Sequence, residues 1–487
     1  MSKRVPAQTV VETVDRQTKR ETQCELGLYP GGRKGLADRF VVAHSAEGGT
    51  GVRASGGTDT LVLDWTSARR NAICDPSMLL SACEAELPPL LQDLLDVATA
   101  VYLADVAAFR GTHEEWVRRL HLRLPVLEPT FWQAQAGDLQ HLLYSLTRDS
   151  FSFHFVQADR PSLTHSTRDA CGQGRPDCIC LLSGGLDSFA GAVSLLRAGR
   201  KPFFVSHQSA NPVVETAQRK ILSTLETQWP GQTRWAGVRV TPGSYSPGSI
   251  PFPSPEKREP SRRARPVLFL TLGAIASHCL QTPEVYLCEN GVLTAALPLT
   301  PARIGGMSTR STHPMTIKLF SELLQKAGVC TSYLNPFMFQ TKGEVLRTFL
   351  RPVLSPKEIA QSVSCWMAGR FVRPCGGCVP CLLRRIALLS AGLPDEACIN
   401  DVLRRPEEYR GTDAFGNLVD LLTQASTFLG RTDLELLLDY PQFADLVAAE
   451  VPVQDVLRTM KRHAAEVLSV CDDHFPAAAS MMHDAVH

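Results

Sequence analysis

The chain has 487 residues, enough for two or three domains, and its apolar (44%) and charged (20%) fractions are those of a globular protein. A net charge of +1 excludes general electrostatic capture of nucleic acid or of an anionic membrane, so no direct nucleic-acid binding is expected. No stretch has the unbroken apolar length of a membrane span, and Met1-Ser2-Lys3-Arg4-Val5-Pro6 lacks the apolar core of a secretory signal, so a cytoplasmic location is expected.

Residues 1–56 are polar and glycine-interrupted and predict one or two short strands among loops. Leu61–Trp65 reads as a strand. Apolar residues at helical spacing over 76–110 predict one or two helices. His121–Val126 alternates like a strand, a helix follows from Asp138 to Thr147, and Ser150–Phe155 is a further strand. These elements predict an N-terminal α+β domain over residues 1–170. No catalytic constellation stands out in it; Asp96, Asp105 and His113 read as helix-face and cap residues.

From residue 171 strand and helix patterns alternate, which predicts a parallel α/β domain. Its first unit is Cys180-Leu181-Leu182-Ser183-Gly184-Gly185-Leu186-Asp187-Ser188-Phe189: apolar strand, small-residue turn, first turn of a helix. Backbone N–H groups of such a turn approach an anion closely, and the helix adds orphan donors and the positive end of its dipole. Ser183 and Ser188 add hydroxyls. Asp187, a poor neighbour for phosphate alone, orders the loop or holds a Mg²⁺. The Walker spacing and its lysine are missing. Strands follow at Lys201–His207, Trp235–Val240, Val285–Cys288 and Thr331–Leu334. Between the second and third of these, residues 241–261 are rich in Pro, Gly and Ser, a loop length that is usually functional or disordered. Another loop carries Arg303, Gly305, Gly306, Arg310, Thr312 and His313. Ligands of open α/β sheets bind at the carboxyl ends of strands, which here hold Ser183–Ser188, His207, Glu289–Asn290 and Asn335.

Cys375-Gly-Gly-Cys378-Val-Pro-Cys381, with Cys365 upstream, makes two overlapping Cys-x-x-Cys pairs. Four thiolates at this density suit tetrahedral Zn²⁺, with an Fe–S cluster or a redox dithiol as alternatives. The other eleven cysteines read as core or free thiols. Residues 393–487 are amphipathic helix throughout, a C-terminal extension read as core packing, with partner docking as the alternative.

Ser183–Ser188 resembles the PP-loop of ATP pyrophosphatases, which cleave ATP between the α and β phosphates. Together with Arg265-Pro266-Val267-Leu268-Phe269-Leu270, Thr341-Lys342-Gly343-Glu344 and Ser364-Cys365-Trp366 with the cysteine run to Arg384, it resembles the 7-cyano-7-deazaguanine synthase (QueC) family over about residues 177–392. The resemblance implies an adenine nucleotide alpha hydrolase-like fold and a ligase that activates the carboxylate of a deazapurine with ATP and Mg²⁺. It implies ATP contacts from Leu182, Ser183, Gly184, Gly185, Leu186, Asp187, Ser188 and Arg265, to which His207 is added by its place. It implies catalytic roles for Asp187, Ser188, Lys342 and Glu344, and Zn²⁺ on Cys365, Cys375, Cys378 and Cys381. Pro266 stands where the family has Asn, and the family's Ser-Gly-Tyr-Pro-Asp-Cys-Arg segment is replaced by Glu289-Asn290-Gly291 and a long stretch to His313. Glu289, Asn290, Arg310 and His313 are therefore the candidate substrate residues. With its extra N-terminal and C-terminal parts the chain is most similar to QueC-like proteins of bacterial anti-phage defence systems. That implies a protein partner as a second kind of acceptor. A PP-loop tRNA-modifying enzyme and a non-catalytic nucleotide-binding subunit are the alternative readings.

Overall fold

The structure, a computed structural model, describes residues 38–44, 60–83, 86–110, 117–159, 175–243, 249–300, 310–371 and 373–484. Most of the polar N-terminal stretch, His113, most of the linker before residue 175, and Arg303, Gly305 and Gly306 lie outside the described residues. The chain divides into two compact units that interleave in sequence. One comprises Met1–Cys74, Pro89–Leu163 and Pro242–Ala264; the other comprises Asp75–Pro88, Thr164–Thr241 and Arg265–His487.

The first unit carries β1 (Asp38–His44), β2 (Thr60–Asp64), most of β3 (Ala72–Asp75), helix α1 (Pro89–Ala107), β4 (Arg119–Val126), α2 (Pro129–Ala134), α3 (Ala136–Thr147) and β5 (Ser150–Gln157). Four of its strands form a sheet in the order β2-β1-β4-β5, with every pairing parallel. This corrects the α+β expectation: the unit is α/β. The crossover α2–α3 lets β5 return beside β4 in the same direction, and strand direction is not written in local periodicity. On β4 Leu120, Leu122, Leu124 and Val126 alternate inward, and Phe151, Phe153 and Phe155 stack along β5 at 6.3 and 5.5 Å. Asp149 accepts a bidentate pair from Arg110 at 2.8 and 2.7 Å, and Arg118 bridges Asp149 to Asp105, all buried. These charges compensate one another, which is what keeps them inside. The Pro-, Gly- and Ser-rich stretch is no free loop where it is described. Gly243 N–H donates to Asn71 O (2.7 Å), Arg110 N–H to Glu259 Oε2 (2.9 Å), and Ala264 N–H to Asp105 Oδ2 (2.8 Å).

In the second unit β6 (Cys178–Leu181), β7 (Pro202–Gln208), β8 (Arg234–Pro242), β9 (Glu284–Tyr286) and β10 (Ser332–Leu334) neighbour one another in the order β10-β9-β6-β7-β8. All these pairings are parallel. β6 is central and buried at all four residues, as a sheet covered on both faces requires. Helix α4 (Leu186–Arg197) follows β6, and α5 (Pro212–Gln228) follows β7, where Asn211 Oδ1 caps Val213 and Val214 N–H ahead of Pro212. Next come α6 (Arg265–Cys279), the short α7 (Gly291–Ala295), α8 (Pro314–Lys326), one helical turn α9 (Lys342–Val345) continued by a π-helical turn Leu346–Leu350, and α10 (Val379–Ser390). The tail adds α11 (Asp413–Gly430), α12 (Asp433–Asp439), α13 (Phe443–Ala448), α14 (Val453–His474) and α15 (Pro476–Asp484). Leu418, Leu421, Phe428, Leu436, Leu457, Val467 and Phe475 form its core together with Leu382 and Ile386 of α10. Cys83 and Cys279 are joined by a disulfide. This corrects the reading of both as free or core thiols: they lie 196 positions apart in sequence, and the fold alone brings them together.

Candidate functional site

The Ser183–Ser188 turn leaves the carboxyl end of β6. Gly184 has φ +88°, and a side chain there would both strain the backbone and press on Gln218 Cγ at 3.2 Å. Gly185 caps α4 in an extended conformation. The two serines brace the turn from inside: Ser183 N–H donates to Ser188 Oγ (3.3 Å), the two hydroxyls lie 3.0 Å apart, and Ser188 Oγ donates to Gly185 O (3.1 Å). Val363 N–H reaches Gly184 O at 2.9 Å. The result is a rigid glycine bend at a helix N-terminus, the arrangement that receives an anion.

Asp187, in the first turn of α4, is 8% exposed and gathers residues from two other strand ends. Asn290 Nδ2 donates to its Oδ2 at 3.1 Å, and Lys342 Nζ, at the start of α9, pairs with the same oxygen. Among the described residues, Asp187 Oδ1 is buried without a hydrogen-bond partner. A buried carboxylate oxygen of this kind fits a hard divalent cation. Asn290 is fixed because its own Oδ1 caps α7, accepting from Val292 N–H (3.2 Å) and Leu293 N–H (3.3 Å). Glu289, one residue earlier, receives the Thr312 hydroxyl, and Asn335 grips its backbone from both sides, at 3.2 and 2.9 Å. Burial pushes the Glu289 carboxyl up to about 7. The Asp187 charge adds to this, while the Thr312 hydrogen bond and the charges of Lys342 and Arg265 oppose it.

The remaining sequence-predicted residues divide. His207 is buried in β7 with Nε2 2.8 Å from Val240 O and its ring edge-on to Phe269. Arg265 opens α6 with its guanidinium over Phe269 at 5.3 Å. Glu344 closes a capping box with Thr341, accepting from Thr341 N–H at 2.8 Å, and pairs with Arg462 Nε at 2.7 Å. Arg310 and His313 meet each other, Nη2 to Nε2 at 3.1 Å, and Arg310 pairs with Asp445 of the tail. His313 also caps α8 through Nδ1. Gln218 is a residue the sequence reading missed. Its Nε2 spans Leu182 O, Ser183 O and His207 O at 3.5, 3.4 and 3.3 Å, tying the glycine turn to β7. No local signal marks a single Gln on a helix face for that role.

The Sγ atoms of Cys365, Cys375, Cys378 and Cys381 lie within 4.8 Å of one another. Backbone N–H groups already point at the sulfurs: Met367 and Cys375 at Cys365 (3.3 and 3.4 Å), and Cys378 at Cys375 (3.4 Å). Gly376, at φ +82°, has no room for a side chain, since a Cβ would lie 2.0 Å from Asn400 O. Arg384 holds Glu396 bidentately at 2.6 Å and reaches Ser364 Oγ at 3.3 Å, anchoring the segment that delivers Cys365. Four sulfurs with N–H donors are a donor set that could hold a metal ion such as zinc.

Fold and site thus define a class: a parallel α/β unit with a glycine turn at its central strand, an acidic residue held by a lysine and an asparagine, and a four-cysteine centre. Comparison with curated proteins adds a likeness that spans under half of the chain. The chain is similar to 7-cyano-7-deazaguanine synthases of Thiobacillus denitrificans (28% identity over 237 residues, 45% of this chain and 97% of the relative), Nitrosococcus oceani (22% over 236, 45% and 96%) and Synechococcus elongatus (25% over 235, 45% and 93%). No family model matches the chain. No solved structure matches it. Among the described residues no helix is long and apolar enough to cross a membrane.

Proposed function

We propose that the chain is an ATP-dependent C–N ligase of a bacterial anti-phage defence system. It adenylates a 7-deazaguanine-type carboxylate and delivers it to a nitrogen nucleophile. With ammonia the product is an amide, which a second activation dehydrates to the nitrile; with an amine of a partner protein it is a conjugate. The observation that carries this reading is the convergence of Asp187, Asn290 and Lys342 beneath the Ser183–Gly185 bend.

A carboxylate oxygen is a poor leaving group, so it must first become a mixed anhydride. One oxygen attacks the α-phosphorus, the α–β bridging bond breaks, and its electron pair leaves with pyrophosphate. The turn N–H groups and the α4 N-terminus would stabilise that departing charge. Asp187, with its free Oδ1, would hold Mg²⁺, which neutralises phosphate charge when bound. Lys342 is poised to contact phosphate or the substrate carboxylate. The nitrogen then attacks the carbonyl, AMP leaves with the bonding pair, and the nitrogen gives up a proton. Zn²⁺ on Cys365, Cys375, Cys378 and Cys381 would pin α10 and the segment before it.

The test is pyrophosphate release from MgATP by purified protein with 7-carboxy-7-deazaguanine. Release that disappears in Asp187→Ala is the expected result. No release with this acid, alone or with proteins encoded beside it, refutes the reading. Mass spectrometry of those proteins separates a conjugate from free amide or nitrile.

A further inference from the structure

The resemblance carried by the motifs ends near residue 392, yet α14 of the C-terminal extension reaches the turn that carries Lys342. Its residues Thr459, Arg462, His463 and Glu466 fall at i, i+3, i+4 and i+7, one face of a helix. Thr459 Oγ1 and Arg462 Nη2 both donate to Phe339 O, at 3.1 and 2.7 Å. Arg462 Nε grips Glu344 Oε1 at 2.7 Å. Thr341 Oγ1, the cap of α9, donates to Glu466 Oε1 at 2.7 Å. Gly343 sits so tightly that a Cβ would lie 2.6 Å from Glu466 Oε1. Residues on both sides of Lys342 are therefore held by this one face. An adjoining stripe of the same helix, Val456, Leu457, Met460, Ala464 and Val467, packs in the tail core. Apolar packing alone would not require a carboxylate and a guanidinium aimed at a backbone carbonyl and a helix cap.

We propose that this polar face of α14 is a positioning element of the nucleotide site: Arg462 and Glu466 set where the Lys342 ammonium stands against Asp187. His463 completes the arrangement. It is 5% exposed, its Nε2 has no hydrogen-bond partner among the described residues, and burial with the Lys342 charge pushes it down to about 4. It therefore stays neutral beside the lysine, where an imidazolium would repel the ammonium. The inference rests on the proposed carboxylate activation for its kinetic consequence, but the placement of Lys342 is measurable without it.

The experiment compares the full chain with Arg462→Ala, Arg462→Lys, Glu466→Gln and a control, Lys461→Ala. Lys461 lies on the same helix and pairs with Asp433 at 2.6 Å, away from the Lys342 turn. Reductive methylation of Lys342, followed by mass spectrometry without substrate, reads placement directly. It should be slow in the wild type and in Lys461→Ala, and at least fivefold faster in Arg462→Ala and Glu466→Gln, with thermal midpoints that match the control. In pyrophosphate release those two variants should lose about tenfold or more in kcat while the KM for ATP changes less than threefold, and Arg462→Lys should recover part of kcat. Equal methylation in all variants overturns the proposal, as does wild-type kcat in both Arg462→Ala and Glu466→Gln. A wild type that releases no pyrophosphate but shows the methylation pattern counts against the activation reading and leaves the positioning role standing.

Discussion

Removing the charge of Lys342 tests the centre of the site most directly. Lys342 and Asp187 are 9% and 11% exposed at their side chains, so their ion pair is shielded from water. Lys342→Met keeps most of the side-chain volume but leaves Asp187 with Asn290 as its hydrogen-bond donor on Oδ2 and none on Oδ1. Breaking one side of a buried pair costs about 3–5 kcal/mol, because an uncompensated charge stays inside. Asp187→Asn should cost about 2–4 kcal/mol for the mirror reason, since the ammonium then loses its counter-ion. The double variant removes both charges and should fall only about 1–2 kcal/mol below wild type, giving a coupling of at least ~3 kcal/mol. Urea unfolding of the four proteins, followed by fluorescence of the second unit's tryptophans, yields the cycle. Single-variant losses that add within ~0.5 kcal/mol would show the pair to be worth no more than a surface contact, and the site would not be a preorganised charge cluster.

Purified chain should carry about one zinc, lost in Cys378→Ser, by elemental analysis; iron or no metal in the wild type would contradict the tetrahedral-zinc reading. The Glu289 carboxyl, pushed up to about 7 by burial, is favoured protonated in the folded state. Its stabilising effect is complete below about pH 4.5 and is lost as pH rises through 7, on the order of 1–3 kcal/mol. Glu289→Gln should flatten this slope, read as unfolding free energy at pH 5 and pH 8; an unchanged slope removes Glu289 as its source. Gly184→Ala forces an alanine to φ +88° at a cost of about 1–2 kcal/mol and should abolish ATP-induced thermal stabilisation, whereas undiminished stabilisation means the bend does not receive the nucleotide. A non-reducing peptide map should show the Cys83 and Cys279 peptides linked; two alkylated thiols would refute the disulfide.

What the sequence discloses follows from how local each feature is. The Ser183–Ser188 turn and the Cys375–Cys381 run are legible because their geometry is set by residues within a few positions of one another. Small residues sit where φ must be positive, and thiols sit at a ligand's spacing. Asn290 is legible as a strand-end residue, although its partner Asp187 lies 103 positions away. Contacts without a local signature were missed. Gln218 reaches the glycine turn from 35 residues downstream, and Thr312 reaches Glu289 from the far side of a long insertion. The direction of β1, β2, β4 and β5 was equally hidden. Alternating burial along β4 and β5 is the same whether neighbours run parallel or antiparallel, so only the crossovers decide.

The tail helix shows why a pattern can be read correctly and still mislead. Periodicity finds the apolar stripe Val453, Val456 and Leu457, and an apolar stripe means packing, which α14 does perform. The same helix also has a polar face, and solvation is the usual meaning of such a face. Here Thr459 and Glu466 instead make hydrogen bonds that are partly buried, about 120 residues from their partners in sequence. A charge whose partner is that remote leaves no trace in spacing. What distinguishes it is energetic: burial raises the Glu466 carboxyl to about 7 against the pull of Thr341, Arg347 and Arg462. An acid left on a solvated face would carry no such penalty. The fold accepts it where the polar face of α14 meets the cap of α9, the contact through which Glu466 is proposed to position the Lys342 turn.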